Sequence, residues 1–127
     1  MKPIIAASII MLSFGSAALA ACPDAPPSKA RFNVESGDQG VTAAWLEKTL
    51  SGKKVRFDEG TEHYKSGGAY SYKSGNQTWD APGYRFYDNG MRCIDYPSPR
   101  FDLYVVRDKQ LVLINGNGGR FVGKITR

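Results

Sequence analysis

The chain is poor in the side chains that most often carry chemistry. Its 127 residues hold one histidine, His63, and two cysteines, Cys22 and Cys93. A closed zinc site draws four ligands chiefly from histidine and cysteine, so a metal held by His63 would need carboxylates at its other positions. Two cysteines allow at most one disulfide. No G-x-S-x-G elbow occurs, and any Ser-His-Asp or Cys-His arrangement would have to use His63. No block of like charges stands out, although the net charge is +5. Such a modest basic excess suits residence near anionic envelope polymers and is weak support for nucleic acid. There are no internal repeats. The longest apolar run, Ile4 to Phe14, is too short to span a bilayer, which takes about 20 residues.

That run follows Met1-Lys2 and precedes Gly15-Ser16-Ala17-Ala18, the three-part pattern of a secretory signal over residues 1–20. Ala18-Leu19-Ala20 is an A-x-A cleavage site. Leu19-Ala20-Ala21-Cys22 equally resembles the bacterial lipobox, in which the Cys22 thiol would carry a diacylglycerol. An exported chain meets an oxidising compartment, where an even cysteine count favours pairing. The expected form is released into the periplasm or medium with Cys22 bonded to Cys93. The alternative is a lipid anchor in the envelope through Cys22, the only route by which a membrane partner is expected. Taking 20 residues from 127 leaves 107, and taking Lys2 from +5 leaves +4. This is one small domain, for which a disulfide is a useful staple.

Residues 21–37 contain Pro23, Pro26 and Pro27 and read as a Pro-rich arm with a short extended piece at Arg31 to Val34. Residues 38–127 read as a single domain. "DQGVTAAWLEKTLSGKK" carries the one helix signal, with Asp38 as cap, Lys48 near the end and Ser51-Gly52 as the stop. Three turns are unstable alone, so Trp45 and Leu46 must pack on something. Period-two segments follow at Lys53 to Phe57, Tyr64 to Lys65, Ala69 to Tyr72, Gln77 to Trp79, Tyr84 to Tyr87, Met91 to Tyr96, Phe101 to Val106, Leu111 to Ile114 and Arg120 to Thr126. The expected fold is mainly β, a small antiparallel meander or barrel-like sheet with one N-terminal α-helix packed on it.

Asn89-Gly90 marks a tight hairpin. A two-residue turn pairs Tyr87 with Arg92, Phe86 with Cys93, Arg85 with Ile94 and Tyr84 with Asp95. Alternation then sends Tyr84, Phe86 and Cys93 to the core, and Arg85, Tyr87, Arg92, Ile94 and Tyr96 to the other face. "DLYVV" and "LVLI" are apolar on both faces, so that hairpin is covered on both sides. The helix is the expected cover, anchored by Trp45.

Sites of chemistry are few. His63 lies near Asp58, Glu59 and Glu62, a set that could serve acid–base or metal chemistry, but a polar loop between strands accounts for it. Arg92 beside Cys93 would lower a thiol pKa, yet an inward Cys93 is structural. "NGNGGR", Asn115 to Arg120, could cradle an anion through its amides, but a strand follows it rather than a helix, so it reads as a hairpin loop. Asn76-Gln77-Thr78 reads as a polar loop. Tyrosine and arginine are the least bland content. Both are enriched at binding hot spots, although tyrosine is also a good strand residue.

At "LSGKKVRF", "YKSGGAYSYKSG" and "YRFYDNGMRCIDY" the chain resembles a loose group of small exported alphaproteobacterial proteins of unknown function, over about residues 40–127. Leu50-Ser51-Gly52-Lys53 and Asn89-Gly90-Met91-Arg92-Cys93 carry the likeness. A second domain cysteine and a G-x-W strand, frequent in that group, are missing. "NGGRFVGK" is similar in part to the inhibitory loop of periplasmic lysozyme-inhibitor barrels, without its serine. The resemblance implies a fold and an exported location and brings no catalytic residues.

The expected function is that of a non-catalytic binding module of the envelope. It would engage a protein or glycan through Arg85, Tyr87, Arg92 and Tyr96, as a monomer and without cofactor, metal or nucleic acid. The alternatives are an enzyme resting on His63 with Glu59 or Glu62, and a purely structural envelope lipoprotein.

Overall fold

The computed structural model describes residues 21–127. The signal segment 1–20 lies outside the described residues. One short helix, α1 (Ala43–Leu50), joins ten strands: β1 (Gln39–Gly40), β2 (Lys54–Arg56), β3 (Thr61–Tyr64), β4 (Tyr70–Ser74), β5 (Gln77–Ala81), β6 (Tyr84–Phe86), β7 (Met91–Ile94), β8 (Arg100–Arg107), β9 (Gln110–Ile114) and β10 (Arg120–Thr126). The strands pair antiparallel in the order β5-β4-β3-β2-β10-β9-β8-β7-β6, with β1 added to β8. The fold is therefore mainly β, a curled half-barrel made of two meanders, β2 to β5 and β6 to β10.

β10 links the meanders. Residues 120–123 pair with β9, and residues 124–126 pair with β2. The corner falls at Gly123, where a Cβ would stand 2.6 Å from Val55 Cγ1 and 2.9 Å from Phe57 Cε1. Glycine there lets the strand bend inward against β2.

The helix is not N-terminal. It follows the Pro-rich arm and β1. Its cap is Thr42, whose Oγ1 accepts the Trp45 N–H at 3.1 Å, and not Asp38. Leu46 and Leu50, one turn apart, are fully buried in the concave side of the sheet, while Trp45 remains 38% exposed. The apolar stripe of α1 thus runs through Leu46 and Leu50, and Trp45 is not the anchor.

The hairpin at Asn89-Gly90 differs from expectation by one residue. Tyr87 N–H donates to Met91 O at 3.0 Å, which closes a three-residue loop, Asp88-Asn89-Gly90, with Gly90 at φ +86°. The resulting register is Tyr84 with Ile94, Arg85 with Cys93 and Phe86 with Arg92. A one-residue slip turns every side chain of one strand to the opposite face. Arg92 and Ile94 therefore join Tyr84 and Phe86 on the concave side. Cys93 joins Arg85, Tyr87 and Met91 on the convex side.

β8 and β9 are covered on both faces, and the outer cover is the arm rather than the helix. Phe32 is buried against Tyr87, Met91, Cys93, Leu103, Val105, Val112 and Ile114. The arm is tied down along its length. Tyr87 OH donates to Pro23 O at 2.6 Å, Arg85 pairs with Asp24 at 2.8 Å, and the Cys22 N–H donates to Asp95 Oδ1 at 2.7 Å. Farther along, Asp38 accepts from Arg120 at 2.7 Å and from Arg107 at 3.3 Å. Cys22 is bonded to Cys93 with their Cα atoms 5.9 Å apart. The pairing is the expected one, but Cys93 faces the arm and not Phe86. With its sulfur in this bond, Cys22 has no free thiol for an acyl chain.

Candidate functional site

Inside the half-barrel the side chains are not uniformly apolar. Alternation on β3, β7 and β8 points Glu62, Tyr64, Arg92, Asp102 and Tyr104 to one interior point. Arg92 is 1% exposed. Its Nη1 donates to Glu62 Oε2 at 2.5 Å and to Tyr64 OH at 2.8 Å, and its Nη2 donates to Asp102. Tyr64 OH lies 2.7 Å from Tyr104 OH, and both hydroxyls donate to Glu62. The guanidinium also lies 5.6 Å from the ring centres of Tyr70 and Tyr104. Burial alone would favour a neutral Arg92, but the charges of Glu62 and Asp102 outweigh it and raise its pKa well above the ordinary value. Burial likewise raises the hydroxyls of Tyr64 and Tyr104 well above the usual range, so both remain neutral donors. Among the described residues, one buried side-chain polar atom has no partner: Arg92 Nε.

Arg92 also lines a cleft of about 210 Å³ that opens from this interior. Phe57, Tyr70, Tyr72, Tyr96 and Phe121 form its aromatic walls, and Ile94 and Leu113 complete the apolar lining. Glu59, Glu62, Arg100 and Asn115 bring polar groups. Arg100 Nε donates to Asp102 Oδ2 at 3.0 Å, so Asp102 binds two guanidiniums. Two arginines thus face two carboxylates in and beneath the cleft, with Glu59 exposed. Trp79 extends the aromatic wall along β5. It is 44% exposed, and its ring lies 5.8 Å from Tyr72 at an interplanar angle of 31°.

The four residues expected to form one binding face are divided between two places. Arg85 and Tyr87 lie on the convex side and hold the arm, and Tyr87 is only 4% exposed. Arg92 and Tyr96 both line the cleft. Tyr70, Tyr72, Asn115 and Phe121, which come from two strands, β4 and β10, and a loop, were not among the expected residues. Their usable signal in the sequence was the tyrosine content alone. His63 lies on strand β3 and not in a loop, and alternation puts it on the face opposite Glu62. Partial burial, with Lys54 and Lys65 adding to it, holds the His63 pKa below its ordinary value. Among the described residues no group of three or more His, Cys, Asp or Glu side chains is placed to hold a metal. No helix among them is long and apolar enough to cross a membrane.

Comparison with protein-family models, with curated proteins and with solved structures gives no match.

Proposed function

We propose that this protein is a binding module of the cell envelope, exported to the periplasm or beyond, and that its cleft takes one ring of a neutral glycan. The observation that carries the reading is the unpartnered Nε–H of a buried arginine beside aromatic walls. A buried donor without an acceptor costs about 1–3 kcal/mol. Arg92 Nε has almost no accessible surface here, so an oxygen would relieve that cost as binding shifts the side chains at the cleft floor. The two guanidiniums are already balanced by Glu62 and Asp102, so an added anion gains little net attraction. A hydroxyl or amide oxygen suits that donor better. Carboxylate oxygens of Glu59 supply acceptors for sugar hydroxyls. The Asn115 side-chain N–H groups supply donors, while its oxygen accepts from the Asn117 and Gly119 N–H groups. Tyrosine rings offer apolar surface with a polar tip. The volume lies below the roughly 300–1,000 Å³ of drug-sized pockets, which fits one ring and not an extended chain. The Cys22–Cys93 disulfide is consistent with an oxidising compartment.

The test is an amide-shift titration with a panel of neutral hexose and N-acetylhexosamine oligosaccharides. Shifts are expected at Tyr72, Tyr96, Asn115 and Phe121. Tyr96→Ala should weaken the response about tenfold, as loss of an anchoring aromatic does at other interfaces, and Arg85→Ala should leave it unchanged. Saturating sugars that move no cleft residue would end this reading.

A further inference from the structure

The convex side of the sheet has two halves of opposite character. The arm covers β7, β8 and β9. Nothing among the described residues covers β2, β3 and β4, and that half is cationic. Outward positions there are Lys54 and Arg56 on β2, Lys73 on β4 and Lys124 on the second half of β10, all exposed. Their neighbours in register bring no negative charge. Lys54 lies between Thr126 and His63, Lys73 lies between Thr61 and Thr78, and Arg56 lies between Thr61 and Lys124. Arg56 and Lys124 are thus like charges directly opposite each other, an arrangement that costs stability in a sheet. Asp80 on the outer edge strand and Asp58 and Glu59 in the turn after β2 are the nearby acids, and none is a register partner of the four cations.

Arg85, Arg92, Arg100, Arg107 and Arg120 all form ion pairs. Among the described residues none of Lys54, Arg56, Lys73 or Lys124 does. Arg31, Arg127 and the remaining described lysines are also without an ion pair, so what sets these four cations apart is their clustering on one sheet face. Beside Lys124 on the same face of β10 stands Val122, 55% exposed. A hydrated anionic polymer has no use for that side chain, whereas the boundary between headgroups and acyl chains accepts it.

We propose that this face docks the protein on an anionic phospholipid surface, with Lys54, Arg56, Lys73 and Lys124 among the headgroups and Val122 at their inner boundary. Basic residues near a negatively charged leaflet each add a modest, salt-screened attraction. No acyl anchor is needed, and Cys22 stays in its disulfide. The open cleft faces the concave side, so docking leaves it free.

Flotation of the full chain with vesicles tests this. The vesicles are phosphatidylcholine alone or with about one third phosphatidylglycerol, and inorganic polyphosphate serves as a soluble polyanion. Binding is expected only to the phosphatidylglycerol vesicles, falling steeply between low and physiological salt. The R56Q/K124Q variant should bind about 25-fold more weakly, roughly fivefold per charge removed. Its melting temperature should not fall, because the change removes a like-charge pair. Val122→Ser should weaken vesicle binding without altering any retention on polyphosphate. Equal binding to both vesicle types, unchanged binding by R56Q/K124Q, or retention on polyphosphate with none on vesicles would each overturn the proposal.

Discussion

Arg92 carries a full charge at 1% exposure, and its cost is met by Glu62 and Asp102 at hydrogen-bonding distance. Taking a guanidinium out of water costs several kcal/mol, and removing one partner of such a cluster leaves the others uncompensated. Arg92→Met should therefore destabilise the protein by about 3–5 kcal/mol in urea unfolding. The triple change R92M/E62Q/D102N should recover a large part of that loss, because no buried charge is then orphaned. A single variant as stable as the native protein would show that the cluster is not what holds this interior. The same residue also supplies the unpartnered Nε–H on which the sugar reading rests, so stability and binding meet at one side chain.

At the scale of elements, the N-terminal arm is a structural part of the sheet. Its disulfide closes 71 residues of sequence and contributes about 4 kcal/mol on the chain-entropy account. At the far end of the arm Asp38 is clamped by Arg120 and Arg107. The Arg120 guanidinium holds the Asp38 carboxyl well below its ordinary 3.8 against the opposing effect of burial, and the Glu35 N–H and Arg107 add to it. A carboxyl whose folded pKa lies below its unfolded one adds stability above the unfolded value and loses it as pH falls toward the folded value. Asp38→Asn should cost about 2 kcal/mol near neutral pH, the scale of a charged hydrogen bond. The gap between native and variant should narrow as pH is lowered beneath 3.8. Urea unfolding at a series of pH values measures it, and a gap that stays constant into acid would contradict the clamp.

The whole molecule depends on one corner. β10 serves both meanders, and its bend at Gly123 brings β2, with Phe57 just after it, against the second meander. Ala at this position places a Cβ 2.6 Å from Val55 Cγ1 and 2.9 Å from Phe57 Cε1. Overpacking of that kind costs about 1–3 kcal/mol. Because Phe57 is also a wall of the cleft, Gly123→Ala should lower both the unfolding free energy and the sugar response. Native stability in this variant would mean that the corner relaxes without strain. The curl also sorts the surfaces. The concave side holds the aromatic cleft, and the convex side divides into an arm-covered half and a bare cationic half.

Local pattern was enough for much of this. Period-two runs and recurrent turn residues announced a mainly β chain, and apolar residues on both faces of Phe101 to Val106 and Leu111 to Ile114 announced a strand pair covered twice. An even cysteine count announced Cys22 with Cys93. These rest on neighbours in sequence or on simple counting, so no long-range information is needed. Tertiary structure decided what depends on register and on distant pairing. The extra residue in the Asp88-Asn89-Gly90 loop reversed the faces of β7 and carried Arg92 inside. Strand alternation has period two, so any turn misjudged by one residue inverts its strand. The choice of the arm over the helix as outer cover, and of Asp38 as a clamp and not a cap, followed from contacts across more than 60 residues. The cleft and the cationic face likewise exist only because β10 pairs with β2, joining strands from opposite ends of the domain.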